Sequence, residues 1–390
     1  MKKIAGAFFI ILWCIPLLGL GQEKGKSKFR ENFQANGYLK YMQTVASLSE
    51  GSDQWFIDNL IHNRLNFSYY ANDHLTLHLA GRNRMIYGAS PELVPGFKKG
   101  FGAQDQYALN MSHSWASGSS YVINSEIDRA YLDYNKGDWQ FTVGRQRINW
   151  GVSMVWNPND LFNTYSFFDF DYEERPGADA ILLRRYLGPV SSLEVVYSPS
   201  NGFDFHNFAG LYKFNLWQYD FQLLAGYVRQ NYNLGMGWEG QIGGAGFKGE
   251  GSWFIPDYAG EAPSLVMDIS LDYTFTNSLY LHTETIYNSA GATSAIGPIM
   301  GDFQLTPKTL SLSRFAFFNE AQYQISPLTR LGVNSIVNSS DGSYYIGGNL
   351  NTSFSDNFEL LVFGLFFFGE ENSLYGMGGS QINWRLKYSF

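Results

Sequence analysis

Cysteine and charged residues are scarce in this chain. It has one cysteine, Cys14, and only 16% of its 390 residues are charged. A single thiol cannot build a framework of internal disulfides, and a formal net charge of −8 argues against nucleic acid as a partner. The composition therefore excludes a small disulfide-stapled fold and a DNA- or RNA-binding surface.

Long apolar runs are scarce too, and the one clear run lies at the N-terminus. Two lysines are followed by an apolar stretch from Ile4 to Leu20 that ends among small residues. This order is typical of a secretory signal peptide. Trp13 is too large for the position before a lipidated Cys14. We therefore predict that residues 1–21 are a signal peptide cleaved before Gln22, which removes the only thiol.

Glycine and aromatic residues are abundant: 41 Gly, 32 Phe, 26 Tyr and 10 Trp. After residue 21 the sequence has no apolar run of the ~18 residues that a membrane-spanning helix needs. In a transmembrane β-barrel, lipid-facing and lumen-facing residues alternate, so that the hydropathy averages out along each strand. The composition therefore predicts an all-β fold, a transmembrane antiparallel up-and-down β-barrel.

The last stretch of the chain, 379–390, alternates between apolar and polar residues without a break. Its apolar members are Ile382, Trp384, Leu386, Tyr388 and Phe390. Successive side chains of a strand point to opposite faces, so this is a strand with one apolar face. It resembles the C-terminal strand of bacterial outer-membrane barrels. The resemblance implies that Trp384, Leu386, Tyr388 and Phe390 form the signal that the barrel assembly machinery reads. Taken alone, the segment also fits the last strand of a soluble sandwich.

Short and long connections alternate between the period-2 segments. The short ones are Ala71 to His74, Asn135 to Asp138, Leu187 to Val190, Asn215 to Gln218, Gly243-Gly244, Thr276 to Ser278, Ser326-Pro327 and Ser355 to Asn357. The long ones are Gly88 to Ser120, Trp150 to Ala178, Pro199 to Asp204, Pro256 to Pro263, Ala290 to Lys308 and Glu370 to Gly376. This alternation is typical of a barrel with short periplasmic turns and long extracellular loops.

The strand count follows from these connections. Counting back from a carboxyl terminus on the turn side gives about 18 strands, with 16 as the alternative, and a first strand from Gln34 to Leu48. Gln104 to Trp115 fits a strand or part of a loop, and glycines blur the alternation from Gly237 to Ile255. Phe358 to Phe368 is apolar on both faces, which indicates packing inside the barrel. We predict a periplasmic lead at 22–33 and a single barrel domain at 34–390, with a net charge of about −10 after cleavage.

The most informative internal stretch begins at Val143. It reads V-G-R-Q-R-I-N-W-G, continues through W-N-P-N-D at 156–160, and ends in an acidic-aromatic segment that closes with E-R-P-G at 174–177. This sequence resembles the middle of certain Gram-negative porins, including the alginate-export-like group. The resemblance implies a porin-like barrel and leaves the solute open.

The loop at 150–178 is long for a compact domain, and such loops tend to be functional. In extended form it places alternate carboxylates on one side and aromatics on the other. We expect it to fold into the barrel and to form a constriction with charges of both signs, or else to cover the outer rim. The candidate constriction residues are Arg82, Arg84, Arg145, Arg147, Asp169, Asp171, Glu173, Glu174, Arg175, Arg314 and Arg330.

The arginines differ in the face that alternation predicts for them. Arg82, Arg84, Arg314 and Arg330 fall on lumen faces. Arg145 and Arg147 share the parity of Trp139, which predicts that they face lipid unless a bulge turns them or they reach the membrane interface. For each arginine a solvated lumen residue without a special role is the simpler interpretation.

Chemistry beyond a pore has little support in the sequence. The carboxylates at 169–174 invite a calcium interpretation, but they lack the spacing of a known calcium loop, and we expect no metal site. Six histidines are present, of which His113 lies beside serines and His282 shares a face with Glu284. Neither comes with a hydrolase or zinc motif. We therefore expect no catalytic residues, no enzyme activity and no cofactor.

Two functions remain from the sequence. The first is an outer-membrane channel for passive diffusion of small hydrophilic solutes, and the second is a barrel without transport that serves as a scaffold or as a subunit of an outer-membrane complex. The expected partners are outer-membrane lipid, the barrel assembly machinery and small hydrophilic solutes. A homo-oligomer or a partner outer-membrane lipoprotein stays open.

Overall fold

The computed structural model of this protein describes residues 31–47, 54–94, 96–100, 107–169, 171, 173–201, 203–295, 305–376 and 378–390. The predicted signal peptide and nearly all of the predicted lead lie outside these residues. In the part of the chain that is described, no helix is long and apolar enough to cross a membrane.

The described residues form one antiparallel sheet of 19 strands. The strands are β1 (Phe33–Ser47), β2 (Trp55–Tyr70), β3 (Leu75–Gly88), β4 (Ser112–Ser117), β5 (Tyr121–Lys136), β6 (Trp139–Gln146), β7 (Ala178–Gly188), β8 (Ser191–Ser200), β9 (Phe205–Leu216), β10 (Tyr219–Val228), β11 (Asn231–Ile242), β12 (Ala245–Pro256), β13 (Ser264–Thr274), β14 (Leu279–Asn288), β15 (Phe315–Ser326), β16 (Thr329–Asn338), β17 (Tyr344–Ser353), β18 (Phe358–Phe368) and β19 (Gln381–Ser389). Two four-residue helices follow β3, α1 (Ser90–Leu93) and α2 (Phe97–Gly100).

The sheet closes on itself through its first and last strands. Strand β1 pairs with β2 on one edge and with β19 on the other, where Leu39 lies opposite Tyr388. Strand β3 pairs directly with β5, and β4 adds to β5 without joining the circuit. The described strands thus form a closed barrel of 18 strands, which confirms the prediction of about 18 and excludes 16.

The predicted strand limits differ from the observed ones in two places. The first strand was expected from Gln34 to Leu48 and runs from Phe33 to Ser47. The ambiguous stretch from Gln104 to Trp115 contributes the start of β4, which begins at Ser112. Both differences are confined to strand ends, where alternation carries the least information.

Eight short turns join the strands at the periplasmic end, at the places that the sequence predicts. The turn at Gly243 and Gly244 has φ values of 59° and 87°, which suit the twist of a two-residue hairpin. At the extracellular end the connection between β10 and β11 has only two residues, and it was not predicted from the sequence. It consists of Arg229 and Gln230, both with positive φ although neither is glycine.

Side chains alternate between an exposed outer face and a covered inner face. On β13, Ile269 and Leu271 are 44% and 42% exposed, whereas Asp268 and Ser270 between them are 0% and 1% exposed. The same alternation puts the apolar side chains of the other strands outside, as a lipid environment requires. Something inside the barrel must therefore cover the polar inner face.

Candidate functional site: a loop inside the barrel

The connection between β6 and β7, residues 147–177, covers much of this inner face. We call it the inner loop; all of it except residues 170 and 172 is described. Its buried side chains, among them Trp150, Trp156 and Leu161, form one apolar cluster with inward-facing residues of the strands. The inner loop therefore lies within the barrel, and its contacts follow the wall strand by strand.

Three carboxylates on adjacent strands form what we call the acidic wall: Glu250 on β12, Asp268 on β13 and Glu284 on β14. All three are fully buried, and none pairs with a lysine or arginine in the described residues. The backbone N–H of Val152 donates to Glu250 at 2.9 Å. The N–H groups of Val155 and Trp156 donate to Glu284 at 3.2 and 2.6 Å. Backbone donors of the inner loop thus provide hydrogen bonds to two of the three buried carboxylates, Glu250 and Glu284.

Asn159 fixes the next part of the inner loop against a gap in the wall. Its amide donates to the Met236 carbonyl at 2.9 Å and accepts from the Ser252 hydroxyl at 2.8 Å. A Cβ at Gly235 would lie 2.9 Å from the Asn159 Oδ1 and 2.7 Å from the Ser252 Oγ. The glycines that blur the alternation near 237 therefore make room for the inner loop.

An aromatic segment of the inner loop packs against β15, β17 and β18. Phe167 lies 5.2 Å from Phe318, and Phe168 lies 5.0 Å from Tyr345 and 5.5 Å from Phe367, measured between ring centroids. Such offset and edge-on contacts add to the free energy of apolar burial. They also account for the inward apolar face of β18 that the sequence shows.

The acidic end of the inner loop meets the opposite charge. Lys40, Arg64, Arg385 and Lys387 project inward from β1, β2 and β19, and we call them the basic wall. Asp171 lies 2.8 Å from the His62 Nδ1 and 3.4 Å from the Lys40 Nζ.

Glu173 and Glu174 continue this contact with the basic wall. Glu173 pairs with Arg385 at 2.6 Å and with Lys387 at 2.8 Å. Glu174 accepts from the Tyr38 hydroxyl at 3.0 Å and lies 3.6 Å from the Arg64 Nε. These carboxylates thus have cationic partners in place, rather than the free oxygen cage that calcium requires.

Two carboxyl groups of the inner loop have shifted pKa values of opposite sign. Burial raises the pKa of Asp160 to about 7, although Arg147 and Arg175 lower it. Burial also acts to raise the pKa of Asp171, but His62 and Lys40 outweigh it and hold that pKa well below its usual range. The inner loop therefore holds a carboxyl that titrates near neutral pH and one that stays ionised.

The predicted arginines on β3 lie on the lumen side. Arg82 binds Glu126 through two nitrogens at 2.9 and 2.6 Å, and Arg84 lies 3.8 Å from the same carboxylate. A register shift opposite Ala80 and Gly81 turns Asp128 and Arg129 to the inside together.

Two other predicted arginines lie apart from these contacts. Arg314 is exposed at the extracellular end and donates to the Ser289 carbonyl, while Arg330 lies near the periplasmic end and donates to Gln324. Asp169 is exposed on the inner loop. The structure brings neither arginine to the inner loop.

Arg145 lies in β6, whereas Arg147 follows the end of that strand at Gln146. Gly144 has a φ of 118°, and a Cβ there would meet the Ala130 carbonyl at 2.2 Å. Arg147 donates to Asn149 within the inner loop. Arg175 has a φ of 58° and stacks on the Tyr165 ring at 3.4 Å.

Arg145 keeps the outward parity that alternation predicts, but it does not contact lipid. It pairs with Asp179 on β7 at 2.8 Å, and both are buried. The ring of Tyr107 covers the guanidinium at 3.8 Å, and the Leu109 backbone bonds to both partners. The segment before β4 thus shields a salt bridge on the outer side of the barrel.

Neither the acidic wall nor the basic wall was predicted from the sequence. The acidic wall had a readable signal, because carboxylates at lumen positions of three successive strands lack a basic residue opposite them in the pairing. The basic wall joins the first two strands to the last one. It becomes visible only once the barrel is closed.

A serine, a histidine and a carboxylate lie close together on β13, β14 and β15. The Ser270 hydroxyl lies 3.1 Å from the His282 Nε2, and the Glu320 carboxylate lies 3.9 Å from its Nδ1. Ser270 and His282 are only 1% and 3% exposed. Among the described residues no group of three potential metal ligands is arranged to hold an ion.

Comparison with known proteins shows which solved structures have a similar fold. No family model and no curated protein matches the chain. It is similar to OccAB2 from Acinetobacter baumannii, with a TM-score of 0.60 and 9% identity over 94% of this chain and 99% of that one. It is also similar to OccK11 (OpdR) from Pseudomonas aeruginosa, with a TM-score of 0.59 and 10% identity over 92% and 96% of the two chains.

A further match, OccAB4 from A. baumannii, has a TM-score of 0.58 and 9% identity over 92% of this chain and 98% of that one. These matches give the alginate-export-like subgroup no support. At such low identity the likeness establishes architecture. The chain has the closed 18-strand fold of Gram-negative outer-membrane porins.

Proposed function

We propose that this protein is an outer-membrane channel for passive diffusion of small hydrophilic solutes, narrowed by the inner loop. The observation that carries the proposal is the double attachment of this loop, to the acidic wall through backbone donors such as Trp156 and to the basic wall through carboxylates such as Glu173. A loop attached along the wall from one side of the lumen to the other narrows the space inside the barrel. Eighteen strands otherwise leave a wide aqueous interior.

Charge gives the proposed constriction its selectivity. Arg82, Arg84 and the basic wall face Asp169, Asp171, Glu173 and Glu174 of the inner loop, with Arg175 at its end. Rings of fixed charge in a narrow pore set which ions enter. Arg145, Arg147, Arg314 and Arg330, which belong to the predicted set, contribute less because they lie outside this contact.

A barrel without transport is the second candidate, and one observation favours it. The aromatic contacts of Phe167 and Phe168 fill the side of the lumen next to β15, β17 and β18. If the remaining space is closed as well, the protein is a scaffold or a subunit of an outer-membrane complex.

Single-channel conductance of the folded chain from Gln22 to Phe390 in a planar bilayer tests the proposal. Discrete openings that scale with salt are expected, and a correctly folded barrel that stays silent would leave the scaffold as the function. The double change Asp169→Asn and Asp171→Asn should then lower the preference for cations, because it removes two negative charges from the inner loop. The matched control removes two charges from periplasmic turns, Asp73→Asn and Asp138→Asn. An equal ion preference in both variants would refute the filter.

The remaining proposals concern the context of the channel. We propose cleavage of residues 1–21, a lead at 22–33, the assembly signal Trp384, Leu386, Tyr388 and Phe390, and no catalytic activity. The resemblance of 143–177 to alginate-export-like porins stays a prediction, as does a homo-oligomer or a lipoprotein partner. Recognition by the assembly machinery is tested by the yield of folded barrel after Phe390→Ala.

A further inference from the structure

A cavity of about 240 Å³ lies at the extracellular end of the lumen. Leu161 of the inner loop forms its floor together with Val228 and Phe254. Its upper side is formed by the short turn at Arg229 and by two extracellular loops that contribute Glu261 and Lys308. The cavity therefore combines an apolar base with a polar, charged rim, which is the usual composition of a small-molecule site.

Asn233 on β11 lines this cavity and is the most unusual group in it. Its side chain is 1% exposed, and neither its amide nitrogen nor its oxygen has a hydrogen-bond partner among the described residues. An unsatisfied buried polar group costs free energy, so a ligand that hydrogen-bonds to this amide would gain binding free energy there. The group offers a donor and an acceptor side by side, which matches a hydroxyl on a ligand.

Arg229 supplies a positive charge to the same cavity. Lys308 is neutralised by Glu261 and also donates to the Asn231 amide oxygen at 3.2 Å. The guanidinium of Arg229 has no ion pair within the part of the chain that is described, and burial alone lowers its pKa. The cavity thus carries one surplus positive charge, whereas the basic wall is fully paired with carboxylates.

We propose that this cavity binds a small hydroxylated organic anion, with its carboxylate or phosphate on Arg229 and a hydroxyl on Asn233. The site deepens the proposed channel function, on which its role rests, because it names a class of solute that the extracellular mouth captures. The Thr306 and Thr309 hydroxyls, which also line the cavity, offer further contacts to hydroxyl groups.

Calorimetric titration of the detergent-folded chain with glycerate, glycerol phosphate and glycerol tests the site without relying on conductance. Glycerate or glycerol phosphate should bind at least tenfold more tightly than glycerol, because each carries an anionic group that can hydrogen-bond to Arg229 and glycerol has none. The tighter of the two anions identifies the carboxylate or the phosphate as the preferred group. Equal heats for all three probes, or none, would overturn the inference.

Two variants locate the binding. Arg229→Gln should weaken anion binding roughly 10- to 100-fold, and Asn233→Val should weaken it while leaving the anion preference. The control is Arg185→Gln, an outward arginine stacked on Trp139 at the other end of the barrel. Heat-modifiable mobility checks that each variant is folded, and equal affinity in the two arginine variants would refute the assignment.

The same titration separates the inference from the proposed function. A chain that conducts but does not bind the anions overturns the site and leaves the channel. A chain that binds them but stays silent in the bilayer overturns the channel and leaves the site. Loss of binding in Arg229→Gln with retained conductance supports both.

Discussion

Glu284 is the residue on which the position of the inner loop depends most. Its carboxylate accepts the N–H groups of Val155 and Trp156 at 3.2 and 2.6 Å from within a fully buried part of the wall. The change Glu284→Gln keeps the size of the side chain but replaces a charged acceptor by a neutral amide, of which one half is itself a donor. Hydrogen bonds to charged groups contribute about 1.5–3 kcal/mol and neutral ones about 0.5–1.5 kcal/mol.

The expected consequence is a more frequent release of the inner loop from the acidic wall. Two weakened bonds remove roughly 2–3 kcal/mol, and the lower cost of burying an amide offsets part of this. A net loss of about 1.4 kcal/mol raises the population of the released loop roughly tenfold. Single-channel recordings should show this as about ten times more frequent steps to a higher conductance.

Glu320 provides the matched control for this measurement. It faces the lumen from the neighbouring strand β15, and its carboxylate accepts from Gln322 at 2.8 Å rather than from the inner loop. Glu320→Gln therefore removes the same charge from the lumen without touching the anchor. Conductance steps that are equally frequent in Glu320→Gln and Glu284→Gln, or unchanged in both, would show that the backbone donors do not hold the loop.

Three further variants test other parts of the structure. Gly235→Ala should raise the mean conductance because the added Cβ collides with Asn159, whereas Gly348→Ala, where the nearest atom is 3.9 Å away, should not. Asp160→Asn should raise the midpoint of thermal unfolding by an amount that grows from pH 4 to pH 7. The pKa of the Asp160 carboxyl rises from 3.8 to about 7 on folding. At a pH above 3.8 the ionised carboxyl therefore destabilises the folded state, by at most about 4 kcal/mol, and the asparagine does not. Arg145→Gln should lower that midpoint at every pH between 5 and 8, since it leaves a buried carboxylate unpaired at a cost of about 3–5 kcal/mol.

The barrel could be predicted from the sequence because the patterns that specify its strands and turns lie within short stretches of the chain. Strands such as Leu265 to Phe275 alternate strictly, and turns such as Gly243-Gly244 carry the residues that a tight hairpin needs. The extracellular turn at Arg229 and Gln230 was missed for the same reason, since neither residue is of a type that marks positive φ. Where the local signal is present, the fold follows from it.

The path of the inner loop could not be predicted because its contacts are remote in sequence. Trp156 meets Glu284, 128 positions further on, and Glu174 meets Tyr38, 136 positions back. Alternation assigns a residue to a face but does not say what covers that face. Alternation predicts the outward parity of Arg145 correctly. It does not predict that Tyr107, which comes from another segment, covers that side chain.

The order of charges along the inner loop explains why the loop runs around the lumen in the observed direction rather than in the reverse one. Its first part, 148–168, contains a single acidic residue, Asp160, and offers mainly backbone donors to the acidic wall. Its last part, 169–174, contains four carboxylates and reaches the basic wall. The reversed path would bring like charges together in a buried setting, where Coulomb repulsion is weakly screened. The two walls therefore select the path of the loop, and a variant that reverses the sign of one wall should release that half of the loop alone.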